Sequence, residues 1–154
     1  MIVKIIWLSG LFLFNLAVFA KAPTFEAYPA VSYNSKNHAL KLTQQSRIYR
    51  TLLAQLSQQK INFAGHYVVE VVGCGGGCSY ALAYNAKTGQ GFVLPDFFSD
   101  CYSEKNGFKQ NDIYFQENSR LMIAEGSRYG NPEQCETVYY LVENNQFKAI
   151  NTRP

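Results

Sequence analysis

The spacing of hydrophobic positions along this chain changes twice, and each change marks a boundary. Ile5 to Ala20 is an almost unbroken apolar run, interrupted only by Ser9, Gly10 and Asn15. The segment that follows, to Asn37, is polar and carries Pro23 and Pro29, the composition of an extended lead-in. Between Leu42 and Gln59, Ile48, Leu52, Leu53 and Leu56 recur at helical spacing. Gln44, Gln45, Arg47, Arg50, Gln55 and Gln58 occupy the other faces, which predicts one amphipathic helix. Thr43 or Ser46 suits its N-cap. The polar face is rich in glutamine rather than lysine, so the helix is expected to pack on a sheet and not on a membrane surface.

From His66 onward the period falls to two. Strands are expected at Tyr67–Val72, Ser79–Asn85 and Gly91–Leu94, with Ala86 to Gly89 as a hairpin turn in which Gly89 takes positive φ. Asp96 to Asp112 has no clear period and reads as a long loop. Four further strands follow at Ile113–Gln116, Arg120–Glu125, Thr137–Val142 and Gln146–Ile150, with turns at Asn118-Ser119 and Glu143-Asn144-Asn145. The two halves of this region are alike: strand, glycine-containing loop, cysteine, strand, polar turn, strand. Cys78 and Cys135 fall in register when they are aligned. The expected fold is mainly β (α+β): one N-terminal amphipathic helix packed on antiparallel β-meanders, with two propeller-blade-like units as the form the internal similarity would take.

The apolar start has the three parts of an export signal. Lys4 is the only cation before Ala20, and Val18-Phe19-Ala20 offers small residues at the positions a signal peptidase inspects. Its apolar run is shorter than the roughly 20 residues that span a bilayer. The expected organisation is therefore a signal peptide over 1–20 cut after Ala20, a lead-in over 21–41, and a single disulfide-stabilised β-rich domain with one helix over 42–154. The location would be periplasmic or secreted. A cut after Ala22 fits less well, because Pro23 would follow the scissile bond. A net charge of +3, spread without clustering, argues against nucleic acid, and nothing after the signal predicts membrane insertion. The 11 Tyr and 11 Phe fall largely in alternating runs, so packing across a sheet accounts for most of them.

Four cysteines, all beyond the signal, carry the candidate chemistry. Gly73-Cys74-Gly75-Gly76-Gly77-Cys78 brackets three glycines with two thiols, and Cys101 and Cys135 complete the set. Disulfides, a zinc site completed by His66, and a nucleophilic cysteine partnered by His66 are three readings of it. An oxidising compartment favours disulfides. Three connectivities exist. If Cys74 ends one strand and Cys78 begins its antiparallel partner, the two face each other, leaving Cys101 to pair with Cys135. Long-range partners for Cys74 and Cys78 are the alternative. The glycines suit a tight turn better than an anion nest, since no Lys-Ser/Thr ending follows. His66 has Ser79, Asp96 and Glu70 as nominal partners but no nucleophile-elbow sequence. No catalytic residue, metal ligand or cofactor is assigned.

Two loops are the candidate partner-binding sites: Asp96 to Asp112, with Phe98 and Tyr102, and the turn around Ser127, Arg128 and Tyr129. Arg and Tyr dominate interface hot spots, so Arg128→Ala or Tyr129→Ala is expected to weaken binding by about 2 kcal/mol or more.

Asn62-Phe63-Ala64-Gly65-His66-Tyr67, the Gly73 to Cys78 block, Ser119-Arg120-Leu121 and Cys135-Glu136-Thr137 with Tyr139-Tyr140 resemble a family of small exported proteins of Gram-negative bacteria that has no established activity. The resemblance covers roughly Ile61 to Ile150 and implies a periplasmic location. The function expected is a periplasmic, non-enzymatic binding protein with a protein partner, an inhibitor or immunity protein acting on a cell-wall hydrolase. The alternatives are a cysteine- or zinc-dependent hydrolase centred on Cys74, Cys78 and His66, and a structural or envelope-stress component.

Overall fold

The computed structural model describes residues 21–105, 107–128 and 132–150. The expected export signal and Tyr129 lie outside these. A short 3-10 turn (Ser46–Tyr49) leads into helix α1 (Arg50–Leu56). The strands follow as β1 (Tyr67–Gly75), β2 (Cys78–Asn85), β3 (Gly91–Val93), β4 (Phe98–Ser99) and β5 (Cys101–Ser103). Then come β6 (Gly107–Lys109), β7 (Asp112–Phe115), β8 (Leu121–Arg128), β9 (Glu136–Glu143) and β10 (Gln146–Ile150). Among the described residues the fold is mainly antiparallel β with one short α-helix ahead of the strands.

The helix is shorter than its sequence span. Leu42 packs into the core from non-helical chain, and Ile48, expected on the apolar face, is exposed. Thr43 and Ser46 set the start reciprocally: the Thr43 N–H donates to Ser46 Oγ at 2.8 Å, and the Ser46 N–H donates to Thr43 Oγ1 at 3.1 Å. This is the logic of a capping box, built with two hydroxyls.

Both expected meanders form, but they are not separate stacked blades. β1, β2 and β3 make one; β7, β8, β9 and β10 make the other. Two-residue β4 joins them into a single eight-stranded, curled sheet, pairing Cys78↔Ser99 and Ser79↔Phe98 on one side and Phe98↔Arg128 and Ser99↔Ser127 on the other. The long central strands β2 and β8 thus each share one flank between β4 and a second short strand. An edge that two isolated meanders would leave bare is covered in this way.

Alternation sorts the side chains into three layers. Val69, Ala81 and Ala83 face Met122, Ala124, Val138, Tyr140 and Phe147 in the space between the meanders. Val68, Leu82 and Tyr84 point the other way, where Leu53 and Leu56 of α1 cover them. β2 is therefore buried on both faces, which is why Tyr80 to Ala83 is apolar throughout.

The lead-in makes a 3-10 turn at Phe25–Ala27 and then runs as irregular chain that straps the two meanders together. Pro29 bridges Ser119, the Ala30 N–H donates to Asn118 O at 2.9 Å, the Tyr33 N–H donates to Gly65 O at 2.7 Å, and Lys41 bridges Gln90. Gly65 (φ +70) is needed where the strap passes, because a Cβ there would sit 2.2 Å from Val31 O. The turn glycine Gly89 takes positive φ, and Asn144 and Asn145 (φ 50 and 59) form the two-residue hairpin turn between β9 and β10. Asn62 explains its motif: its amide donates to Val69 O and accepts from the Val69 N–H, so one side chain stands in for a neighbouring strand at the edge of β1.

Candidate functional site

The four cysteines lie in two pairs at disulfide distance, Cys74 with Cys78 (Cα–Cα 5.1 Å) and Cys101 with Cys135 (5.5 Å). The first closes the tip of the β1–β2 hairpin. The second carries Cys101, which is buried, across to the start of β9.

This second bridge fastens a feature the sequence did not announce. Asp96 to Asp112, expected to be structureless, contains β4 and the two-stranded ribbon β5–β6, in which Cys101 pairs with Lys109, Tyr102 with Phe108 and Ser103 with Gly107. Facing residues of an antiparallel pair share a face and neighbours alternate. Cys101 and Lys109 therefore share one face of the ribbon, held by the disulfide and by a 2.9 Å ion pair from Lys109 Nζ to Glu125. Tyr102 and Phe108 share the opposite face, 58% and 69% exposed. A hydrogen bond from the Tyr102 N–H to Pro132 O (2.7 Å) adds a third attachment. Two large aromatic rings are presented to solvent on a cross-linked support.

The two loops singled out from the sequence meet at this end of the molecule, but with other roles for several residues. Phe98 and Ser127 are both 0% exposed; they are core, and neither offers contact surface, because β4 and β8 draw them into the sheet. Arg128 is partly exposed and committed within the fold. Its Nε and Nη2 reach both carboxylate oxygens of Glu136 at 3.0 and 3.2 Å, and its Nη1 lies 3.7 Å from Asp96. Burial lowers the Arg128 pKa, but Glu136 and Asp96 outweigh it and hold the guanidinium above its ordinary value. Buried Asp96 also accepts a hydrogen bond from the Tyr140 hydroxyl. Tyr102 alone of the described candidates is both exposed and displayed. Phe108 completes the pair.

The hinge of the ribbon is polar and specific. The Asp100 N–H donates to Gly77 O at 2.9 Å, Asn111 Nδ2 donates to the same oxygen at 2.7 Å, and Asp100 Oδ1 accepts from the Asn111 N–H at 2.9 Å. Ser79 hydrogen-bonds Asn111. The glycine-rich hairpin and the aromatic ribbon are thereby positioned against each other.

His66 belongs elsewhere. It lines an open cleft of about 510 Å³ with Lys87, Arg120, Glu143 and Asn145, and no cysteine, Ser79 or Asp96 reaches that cleft. Its Nδ1 is buried without a hydrogen-bond partner. Burial, then the charge of Lys87, hold its pKa below the usual histidine value against the opposing backbone of Ala64. Ser79 and Asp96 are engaged with Asn111 and Tyr140, so the nominal triad is not assembled. Among the described residues no group of three or more His, Cys, Asp or Glu is placed to hold a metal ion, and no helix is long and apolar enough to cross a membrane.

Comparison with known proteins gives no match to any family model, curated protein or solved structure.

Proposed function

We propose that this chain is an exported binding protein whose β5–β6 ribbon docks on, and blocks, a cell-wall hydrolase of the periplasm. The observation that carries the proposal is the Tyr102–Phe108 pair, exposed on one face of a ribbon whose other face is tied down by Cys101–Cys135 and Lys109–Glu125. Two aromatic rings on a support that is already ordered supply hot-spot area while little conformational entropy is lost on binding. A two-stranded ribbon is also narrow enough to enter the substrate cleft of an enzyme that grips a glycan or peptide strand.

The test is a turbidity assay on purified cell walls with a muramidase and an amidase, run with wild-type protein, with Tyr102→Ala, with Phe108→Ala and with the double variant. The wild type inhibits one of the two enzyme classes. Each single substitution weakens inhibition by about 2 kcal/mol, roughly thirtyfold. Absence of inhibition by the wild type, or full inhibition by the folded double variant, overturns the proposal.

A further inference from the structure

The two disulfides are built for different tasks. Cys101 is 2% exposed, its partner Cys135 is partly exposed, and their bridge spans 34 positions of chain, tying the ribbon to β9 alongside the Lys109–Glu125 ion pair and the hydrogen bond from the Tyr102 N–H to Pro132 O. Cys74 is exposed, Cys78 partly so, and their bridge spans only four positions. The hairpin it closes is already fixed without it. Pairing runs unbroken from Tyr67↔Asn85 to Gly73↔Ser79, and Gly77 O is held by both Asp100 and Asn111. Opening the short bridge therefore leaves the fold standing, whereas opening the long one removes the ribbon's covalent tie and leaves it to the Lys109–Glu125 ion pair and the Tyr102–Pro132 hydrogen bond.

Access to the short bridge is also open. Gly75 and Gly76 have no atoms near the place a Cβ would occupy, so this part of the loop is open, although Gly77 beside it is held by Asp100 and Asn111. Cys74 and Cys78 both line a groove of about 450 Å³ whose wall includes Tyr49, Tyr80, Pro95 and Phe97. An approaching chain meets an apolar wall beside the sulfurs.

We infer that Cys74–Cys78 is a thiol–disulfide exchange site that accepts two electrons from a dithiol, while Cys101–Cys135 is the structural bridge. One thiolate of the dithiol attacks a sulfur of the Cys74–Cys78 bond. The S–S bond breaks, its electron pair leaves with the other cysteine sulfur, and a mixed disulfide forms. The second thiolate of the dithiol then attacks that mixed disulfide and departs as an oxidised, disulfide-bonded product. Cys74 and Cys78 are left as two thiols, having gained two electrons and two protons. Exposed bridges exchange readily because attack requires access to a sulfur, and buried ones resist. The exchange step uses neither Tyr102 nor Phe108, so it and the docking of the ribbon are tested separately.

The experiment is graded reduction of the full mature chain with dithiothreitol, alkylation with N-ethylmaleimide and peptide mass analysis, with near-ultraviolet circular dichroism recorded in parallel. Cys74 and Cys78 are alkylated at dithiothreitol concentrations at least ~tenfold below those needed for Cys101 and Cys135, and the dichroism is unchanged through that first step. Both bridges opening together, or Cys74–Cys78 opening only where the dichroism collapses, overturns the inference. A second arm compares single thiols towards glutathione disulfide: Cys78 in Cys74→Ser against Cys101 in Cys135→Ser. Cys78 reacts at least ~tenfold faster; equal rates overturn the inference.

Discussion

At the scale of single residues, the glycine block divides into positions that need only backbone freedom and one that also needs space. Gly76 has φ +58 and open surroundings, whereas a Cβ on Gly77 (φ +72) would lie 2.3 Å from Asp100 Oδ2. Asp100 cannot yield cheaply, because its other oxygen accepts from both the N–H and the amide of Asn111. Gly76→Ala is expected to cost about 1 kcal/mol, the penalty for a left-handed residue with a side chain. Gly77→Ala is expected to cost about 2 to 3 kcal/mol, both read from urea midpoints. Equal losses would contradict the placement of Asp100. His66 makes a prediction of opposite kind. Burial and Lys87 depress its folded pKa, so the unfolded chain binds the proton first. Stability is complete above the unfolded histidine value of about 6.5 and declines as pH falls below it. The melting temperature of His66→Gln should therefore fall less between pH 7 and pH 5.5 than that of the wild type; an identical fall in both would refute the assignment. Much at this scale was legible, including Gly89 at the turn and the cysteine pairs. Phe98 and Ser127 were not. Both sit in stretches that read as loop, and only the pairing of β4 with β8 reveals that they are core.

At the scale of elements, period decided what the sequence could show. Strands of five or more residues show an alternation and were expected within a few residues of their bounds. β4, β5 and β6 have two or three residues each, too few for any period, and unlike three-residue β3 they follow no polar hairpin turn recognised in the sequence, so Asp96 to Asp112 read as loop. The helix was overextended because Ile48 fits its spacing, yet Ile48 is left in solvent, and Leu42 at the expected start packs, partly buried, from non-helical chain. Phe108 had a readable signal: Tyr102 and Phe108 stand one step inside Cys101 and Lys109, symmetric about a turn that ends at Gly107. The two bridges give the element-scale prediction. In a chain-entropy account the 34-position bridge stabilises by about 4 kcal/mol and the four-position bridge by about 2 kcal/mol. Replacing each pair by alanine and measuring denaturant unfolding should reproduce that order, and the reverse order would contradict the assignment of Cys101–Cys135 as the brace of the ribbon.

At the scale of the molecule, one curled sheet is organised so that its middle is committed and one end is free to act. α1 covers one face of the first meander, the second meander fills the other, and the lead-in straps both. The cross-linked ribbon at one end carries Tyr102 and Phe108 outward as a facing pair, whereas Val31 and Ile48, exposed as well, lie on other segments. The internal similarity of the two halves was visible in the sequence, but their union through β4 was not, because a two-residue strand leaves no trace in a hydropathy pattern. The most direct test places a photo-reactive benzoylphenylalanine at position 108 in the living cell envelope, with position 48 as control, since Ile48 is still more exposed at 81%. A ribbon that docks on a cell-wall hydrolase gives one discrete adduct from position 108, identified by mass as such an enzyme, and none from position 48. No adduct from position 108, or the same adducts from both positions, would contradict it.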